Sequence, residues 1–246
     1  VENGEDALEA LNRRQPDLII SDIMMPVMNG YELCRRIKNN VNTSHIPFIM
    51  LTALGDKKDI ISGLETKADL YIVKPFDLTV LKANINNILE NRDLIRKKIQ
   101  KLIISSLPQE DNINDEEILN TEENIEDTSR MMMSQLDEEF IEKVTALIKE
   151  GLGKGLNVDT LCTAVNMSRT SFYTKIKALT GASPAEMIRE IRMKESAILL
   201  KMHRYTVSEV SDMMGFADPK YFTDTFKKYY GVPPSVYMKS QENKED

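Results

Sequence analysis

The C-terminal third of the chain is written twice. Val158, Leu161, Ala164 and Met167 recur as Val207, Val210, Met213 and Phe216, 49 residues further on. Phe172, Ile176, Lys177, Gly181 and Pro184 recur as Phe222, Phe226, Lys227, Gly231 and Pro234, 50 residues further on. The extra residue falls between Phe216 and Asp218, where a turn absorbs it. Self-similarity at a fixed spacing means a repeated structural unit. The apolar spacing makes each copy a short helix, a turn and a second helix. Ser168 and Asp218 are placed to cap the second helices, and Pro219 takes the first helical position that proline favours. The stretch Pro184–Met202 reads as one helix joining the copies, so its length sets their separation.

Helical geometry then sorts the side chains of the two second helices. In the first, Phe172 and Ile176 face inward, Thr170, Tyr173 and Thr174 lie opposite, and Arg169 and Lys177 flank them. In the second, Phe222 and Phe226 face inward, Lys220, Thr223 and Asp224 face outward, and Lys227 and Lys228 lie beside them. Lysine can reach guanine O6 and N7 in a major groove, and an aspartate can accept from cytosine N4. Tyrosine and threonine can meet thymine methyls or phosphates. Taken singly, each of these is an ordinary solvated side chain; the set is what points to DNA. The net charge of −7 argues against nucleic acid until its distribution is seen. Residues 108–128 hold nine acidic side chains and no basic ones, whereas residues 156–240 hold twelve Lys/Arg against eight Asp/Glu. An acidic whole thus contains a mildly basic C-terminal block.

Residues 1–76 follow another pattern, in which short apolar runs alternate with helical periods. Glu5–Arg14 is helical, with Ala7, Leu8 and Leu11 on one face. Asp17–Asp22 holds the run Leu18-Ile19-Ile20, Tyr31–Lys38 is helical, Ile46–Thr52 is a second run, Lys57–Glu65 is a helix, and Leu70–Val73 is a third run. Short buried strands between helices predict a parallel α/β sheet. Each run closes on a polar side chain: Asp22, Thr52 and Lys74. Strand C-termini of a parallel doubly wound sheet form its ligand crevice, so the three should meet there. A carboxylate can accept a phosphoryl group, a lysine can neutralise the transferred charge, and a hydroxyl can bond its oxygen.

From Asp77 to Ile104 a single helix is expected, about 42 Å long at ~1.5 Å per residue. Leu81, Ile85, Ile88, Ile95, Ile99 and Leu102 make a 4–3 seam that Arg92 interrupts. The seam suits either a two-stranded coiled coil or packing on the helix's own domain. Residues 108–130 are acidic and poor in large apolar side chains, as a flexible linker is. The Met-rich stretches Met131–Met133 and Met213-Met214 read as linker and core. Cys34 and Cys162 read as small buried thiols of a reducing compartment, and His45 and His203 as structural. No apolar run approaches the ~20 residues a membrane span needs, and no export signal opens the chain.

The motifs SDIMMPVMNG, FIMLTA and ADLYIVKPF resemble the receiver domain of two-component response regulators, over residues 1 to about 92. By that resemblance Asp22 is the phosphoacceptor, Lys74 the paired lysine, Thr52 the switch hydroxyl and Tyr71 the aromatic that moves with it, while the Met24 carbonyl is a Mg²⁺ ligand. Receivers hold Mg²⁺ with an acidic pair on their first strand, and VENGEDALEAL matches the end of the second strand and the second helix. The first strands are therefore expected to be missing, with an unpaired edge on the Asp17–Asp22 strand and an incomplete Mg²⁺ site that accepts phosphate poorly. Residues 136–240, most of all TVSEVSDMMGFADPKYFTDTFKKYYGVPPSVY, resemble the AraC-type DNA-binding domain, in which each second helix enters a major groove about one DNA turn from the other, ~34 Å.

The expected architecture is a partial α/β receiver with an extended last helix over residues 1–104, an acidic linker over 105–135, an all-α domain with two helix-turn-helix units over 136–240, and a tail over 241–246. The expected function is phosphorylation-regulated, sequence-specific DNA binding by a transcription regulator. The alternative is a phosphorelay module with little DNA binding. Neither reading makes this stretch an enzyme. The implied partners are promoter DNA, a histidine kinase in cis or in trans, RNA polymerase and a second copy of the chain. The stretches SQLDEEFIEKVTALIKEGL and SRTSFYTKIKALTG are similar to hybrid regulators, which carry sensor, kinase, receiver and AraC-type domain in one membrane-anchored chain. The Val at position 1 fits a start inside such a chain, with this stretch cytoplasmic and out of contact with the membrane.

Overall fold

The computed structural model describes residues 1–53, 66–105 and 134–242. They fall into two compact units, one built on residues 1–99 and one on residues 141–177 and 182 onward. The expected helix at Lys57–Glu65, nearly all of the acidic linker, Met131–Met133 and residues 243–246 of the tail lie outside the described residues.

The N-terminal unit runs α1 (Gly4–Arg13), β1 (Ile19–Asp22), α2 (Gly30–Lys38), β2 (Phe48–Ala53), β3 (Leu70–Lys74) and α3 (Leu78–Ser105). The strands form one parallel sheet in the order β1-β2-β3. Among the described residues β1 pairs along one side alone, which leaves the expected open edge. Side chains of β2 alternate between two cores, as the twofold period of a strand requires. Phe48 and Met50 join Ile23, Met28, Leu33, Cys34 and Ile37 on one face, with Ala7, Leu8 and Leu11 of α1 packed against them. Ile49 joins Ile72 and Ile88 on the other face, with Leu81 and Ile85 of α3 beside them. Asn3 caps α1 by accepting from the Glu5 and Asp6 amides, and Asn29 caps α2 by accepting from the Glu32 amide. An ion pair unseen in the sequence fastens α2 to the sheet. Lys38 is buried, donates to the Ile46 carbonyl and lies 2.6 Å from Asp69, whose carboxylate also accepts from the Phe48 amide.

The extent of α3 matches expectation, and the first half of its seam packs on the helix's own domain. Leu81, Ile85 and Ile88 are spent on the helix's own sheet. Arg92 is held by backbone. Its guanidinium donates to the carbonyls of Asp17 and His45, 3.0 Å from each, and so ties the helix to the loops that lead into β1 and β2.

The C-terminal unit contains α4 (Gln135–Glu150), α5 (Val158–Ala164), α6 (Arg169–Thr180), α7 (Pro184–Lys201), α8 (Val207–Met213), α9 (Pro219–Tyr230) and α10 (Pro234–Glu242). The last helix thus runs two residues past the expected boundary at 240. The repeat is deeper than two helices, because α5-α6-α7 corresponds to α8-α9-α10 throughout. Asn157 and Thr206 open the first helix of each copy with a capping box. Asn166 and Gly215 both take left-handed backbone in the turn, with φ of 54° and 75°. Ser168 and Asp218 cap the second helices, accepting from the Ser171 and Lys220 amides. Gly181 and Gly231 end them at φ of 77° and 78°, a conformation that glycine adopts without steric cost. Pro184 and Pro234 start the third.

The inward-facing pairs Leu161/Val210, Met167/Phe216, Phe172/Phe222 and Ile176/Phe226 are all buried. Val158/Val207 is half-buried, and one pair is exposed: Ala164 and Met213 lie on the exposed side of α5 and α8, and Met214, one residue on, enters the core instead. The reading of Met213-Met214 as core therefore holds for Met214 alone. In the second copy Phe216, Phe222, Phe226, Tyr230 and Tyr237 form a chain of ring contacts with centroids 4.6 to 5.4 Å apart for Phe222–Phe216, Phe226–Tyr230 and Phe226–Tyr237. Phe222→Ala should cost about 3–5 kcal/mol of stability in chemical denaturation, because a fully buried aromatic leaves a cavity its neighbours cannot fill; a loss under ~1 kcal/mol would mean that the ring cluster does not hold the second copy together.

Candidate functional site

The parallel register places Asp22 opposite Leu51 at the end of β1 and Lys74 opposite Ala53 at the end of β3. Although β2 lies between those strands, the Lys74 ammonium reaches across and donates to Asp22 Oδ2. Asp22 Oδ1 accepts from the Met24 amide at 3.4 Å. The hydrogen bond from Lys74 outweighs partial desolvation and holds the Asp22 carboxyl below its ordinary range. Both side chains remain about 40% exposed, at 40% for Lys74 and 39% for Asp22, so the carboxylate is ionised at neutral pH and open to an incoming group.

The loop after β1 is shaped by one close approach. The Gly30 amide donates to the Ile23 carbonyl at 3.0 Å, and a Cβ at Gly30 would stand 2.2 Å from the Asp22 carbonyl oxygen. A side chain there would push α2 away from the strand end that carries Asp22. The Lys74–Pro75 peptide bond is cis.

Thr52 and Tyr71 are not brought to Asp22. The Thr52 hydroxyl donates to the Ala53 carbonyl at 3.2 Å. Tyr71 lies against the α2 face of the sheet, and its hydroxyl is 2.7 Å from that of Thr66. Burial pushes the Tyr71 phenol up. The expectation that three strand-end side chains converge is thus met by Asp22 and Lys74 and not by Thr52. Ala53 follows Thr52 in β2, and its carbonyl gives the hydroxyl a local acceptor.

Mg²⁺ requires about six oxygen ligands in near-octahedral array. Asp22 Oδ2 is engaged by Lys74, and no group of three His, Cys, Asp or Glu side chains gathers among the described residues. The Asp22 carboxylate and the Met24 carbonyl do not make such a site by themselves. Cys34 and Cys162 are buried, as expected, and burial pushes the Cys34 thiol up to about 12.

The proposed DNA-facing side chains lie on α6 and α9, away from the buried faces. Arg169, Thr170, Tyr173 and Lys177 are exposed on α6, and Thr174 is half-buried. Lys220, Asp224, Lys227 and Lys228 are exposed on α9. Thr223 is half-buried and its hydroxyl is turned back to the Pro219 carbonyl at 2.9 Å. Arg169 is paired with Asp159 at 3.0 Å. Arg189 lies on α7, the connecting helix, where no sequence motif marks it. With Tyr221, Asp224, Thr225, Lys228 and Tyr229 it lines a groove of about 430 Å³ beside α9.

Residues 1–86 match the family model of the response regulator receiver domain, and residues 161–240 match that of a helix-turn-helix domain. Histidine kinase P4 of Formosa agariphila is 36% identical over 96% of this chain, and the match covers 16% of that protein. Transcriptional regulatory protein AfsQ1 of Streptomyces coelicolor is 46% identical over 35% of this chain and 37% of its own length. The chain therefore spans about a sixth of the first relative and just over a third of the second. The crystal structure of the receiver domain of a signal transduction histidine kinase from Syntrophus aciditrophicus matches 46% of this chain and 75% of its own, at 36% identity and a TM-score of 0.35.

In a pH titration followed by the carboxyl carbon resonance, Asp22 should have its midpoint below the ordinary 3.8. Lys74→Ala should raise it. The stabilisation from the pair is present above the ordinary value and is lost as pH falls through the depressed one. A midpoint at or above 3.8 with Lys74 in place would show that the two side chains do not meet in solution.

Proposed function

We propose that this chain, whose residues 1–86 match a receiver domain and residues 161–240 a helix-turn-helix domain, is a two-component DNA-binding transcription regulator of the AraC type in which phosphorylation of Asp22 controls how residues 136–240 engage promoter DNA. The observation that carries the proposal is the contact of an ionised Asp22 with Lys74 at the ends of two parallel strands, in the same chain as a twice-written helix-turn-helix unit. A phosphohistidine is the donor. An Asp22 carboxylate oxygen attacks phosphorus, the P–N bond breaks, and its electron pair leaves with the imidazole. Lys74 then bonds the new phosphoryl oxygens and offsets their charge. Thr52 turns from the Ala53 carbonyl toward them, and Tyr71 shifts with it. Mg²⁺ supplies further charge neutralisation in receivers; here Asp22 and the Met24 carbonyl would be its ligands, and the remaining ones must come from elsewhere.

At the DNA, Lys220 and Asp224 read bases, Thr170, Tyr173, Thr174 and Thr223 meet methyl groups or phosphates, and Arg169, Lys177, Lys227 and Lys228 hold the backbone. The histidine kinase acts in cis or in trans, RNA polymerase is the downstream partner, and two chains bind repeated sites as a homodimer. The chain works in the cytoplasm and is not itself an enzyme. Among the described residues no helix is long and apolar enough to cross a membrane.

Two measurements test this. In the full protein, a phosphorylated histidine kinase should transfer its label to the receiver, and Asp22→Asn should abolish the transfer; persistent labelling of that variant would move the acceptor elsewhere. Selection from random duplexes should enrich a motif spanning two successive major grooves. Lys220→Ala should weaken binding to it by about 1–3 kcal/mol and relax one position, as loss of a base contact does. A chain that enriches no motif would be a relay module with little DNA binding.

A further inference from the structure

Arg189 stands outside both helix-turn-helix pairs, in the first half of the helix that joins them. It is exposed, and among the described residues it has no hydrogen-bond or salt-bridge partner. Three other cations of this unit are committed: Arg169 to Asp159, Lys194 to Glu190, and Lys201 over the Tyr237 ring. Across the groove from Arg189 lie Tyr221, Asp224, Thr225, Lys228 and Tyr229 of α9. Lys228 is likewise exposed and without a salt-bridge partner among the described residues. The floor is less acidic than its sequence suggests. Glu190, next to Arg189, is paired with Lys194 at 2.5 Å, and burial together with the Glu190 carboxylate pushes the Tyr229 phenol up to about 12. Arg189 on α7 and Lys228 on α9 thus share a groove of about 430 Å³ with one lining carboxylate, Asp224, while Glu186, one turn before Arg189 on α7, is its other acidic neighbour.

Resting on the DNA-binding reading above, we infer that Arg189 and Lys228 together grip one phosphate of the DNA backbone beside the groove that α9 enters. The partner chemistry follows from the set. Two cations with hydroxyls from Tyr221 and Thr225 suit an oxyanion, and an arginine can present two parallel N–H bonds to one phosphate. Asp224 keeps that anion on the α7 side of α9, because a phosphate nearer the carboxylate would be repelled, and leaves Asp224 to the bases. A duplex entered by both α6 and α9 must carry its backbone past the helix that joins them, and Arg189 is on that helix. Arg189 is therefore a positioning residue: it sets the register of α9 without reading sequence.

The test compares the full chain with Arg189→Ala, Arg189→Lys and Lys220→Ala, using fluorescence anisotropy on the selected duplex and on a scrambled one over a series of salt concentrations. Arg189→Ala should weaken both duplexes by the same factor, several-fold or more at low salt. It should reduce the slope of log affinity against log salt by about one, as loss of one phosphate contact does. Arg189→Lys should restore the slope, and the selected motif should not change. An unchanged slope, or a motif altered by Arg189→Ala, overturns the phosphate grip, the second outcome pointing to a base contact. A chain that binds no duplex at all overturns the DNA-binding reading, and this inference with it. Lys220→Ala separates the two failures, since it should alter the motif whether or not Arg189 touches DNA.

Discussion

Helix α7 buries Met187, Ile188 and Ile191 in its first half and Met193, Ala197 and Leu200 in its second. The later three belong to the core of the second copy, against Val210, Met214, Phe216, Phe222 and Phe226. The same helix is the third element of the first copy. A helix clothed on one stripe could swing about its exposed side, whereas one buried on several faces cannot. Its capping box at Ser183 and Glu186, with Pro184 at the first turn, fixes where it begins. A single rigid rod of 18 residues, about 27 Å at ~1.5 Å per residue, thereby sets the relation of α6 to α9.

The acid site rests on a different constraint. Parallel strands bring their C-termini to one edge, so residues 52 positions apart in sequence become neighbours without any long side chain having to search. Lysine's reach over the intervening β2 completes the contact. The close packing of Gly30 on the Asp22 carbonyl shows how little room the loop has, and why a glycine follows the Asn29 cap.

Much of this was legible in the residues. Strands and helices followed from apolar period, the Asp22 and Lys74 positions from strand ends, and the doubled unit from spacing alone. What stayed hidden has physical reasons. The seam on α3 has the same spacing whether it meets a second chain or its own sheet, and the Arg92 bonds to two loop carbonyls carry no sequence signature. Met213 and Met214 are chemically alike, and which one enters the core depends on where α8 ends. The hydroxyls of Thr52 and Thr223 both turn to nearby backbone carbonyls, a choice made by local geometry. Lys38 gave no hint that its ammonium would be buried, because its partner Asp69 is 31 residues away. Arg189 was passed over because a connecting helix has no motif of its own.

The two copies share their backbone turn for turn, yet their outer faces have diverged. On α6 the exposed surface is rich in hydroxyls and its arginine is neutralised by Asp159; on α9 four charged side chains stand without salt-bridge partners among the described residues. A reader with unlike halves requires a target with unlike halves. On the proposed reading one chain would lie on DNA with a head and a tail, and its site would have no internal dyad. Turning that site around in front of a gene would exchange which half stands nearer the start of transcription, so that orientation, as well as sequence, becomes part of the message.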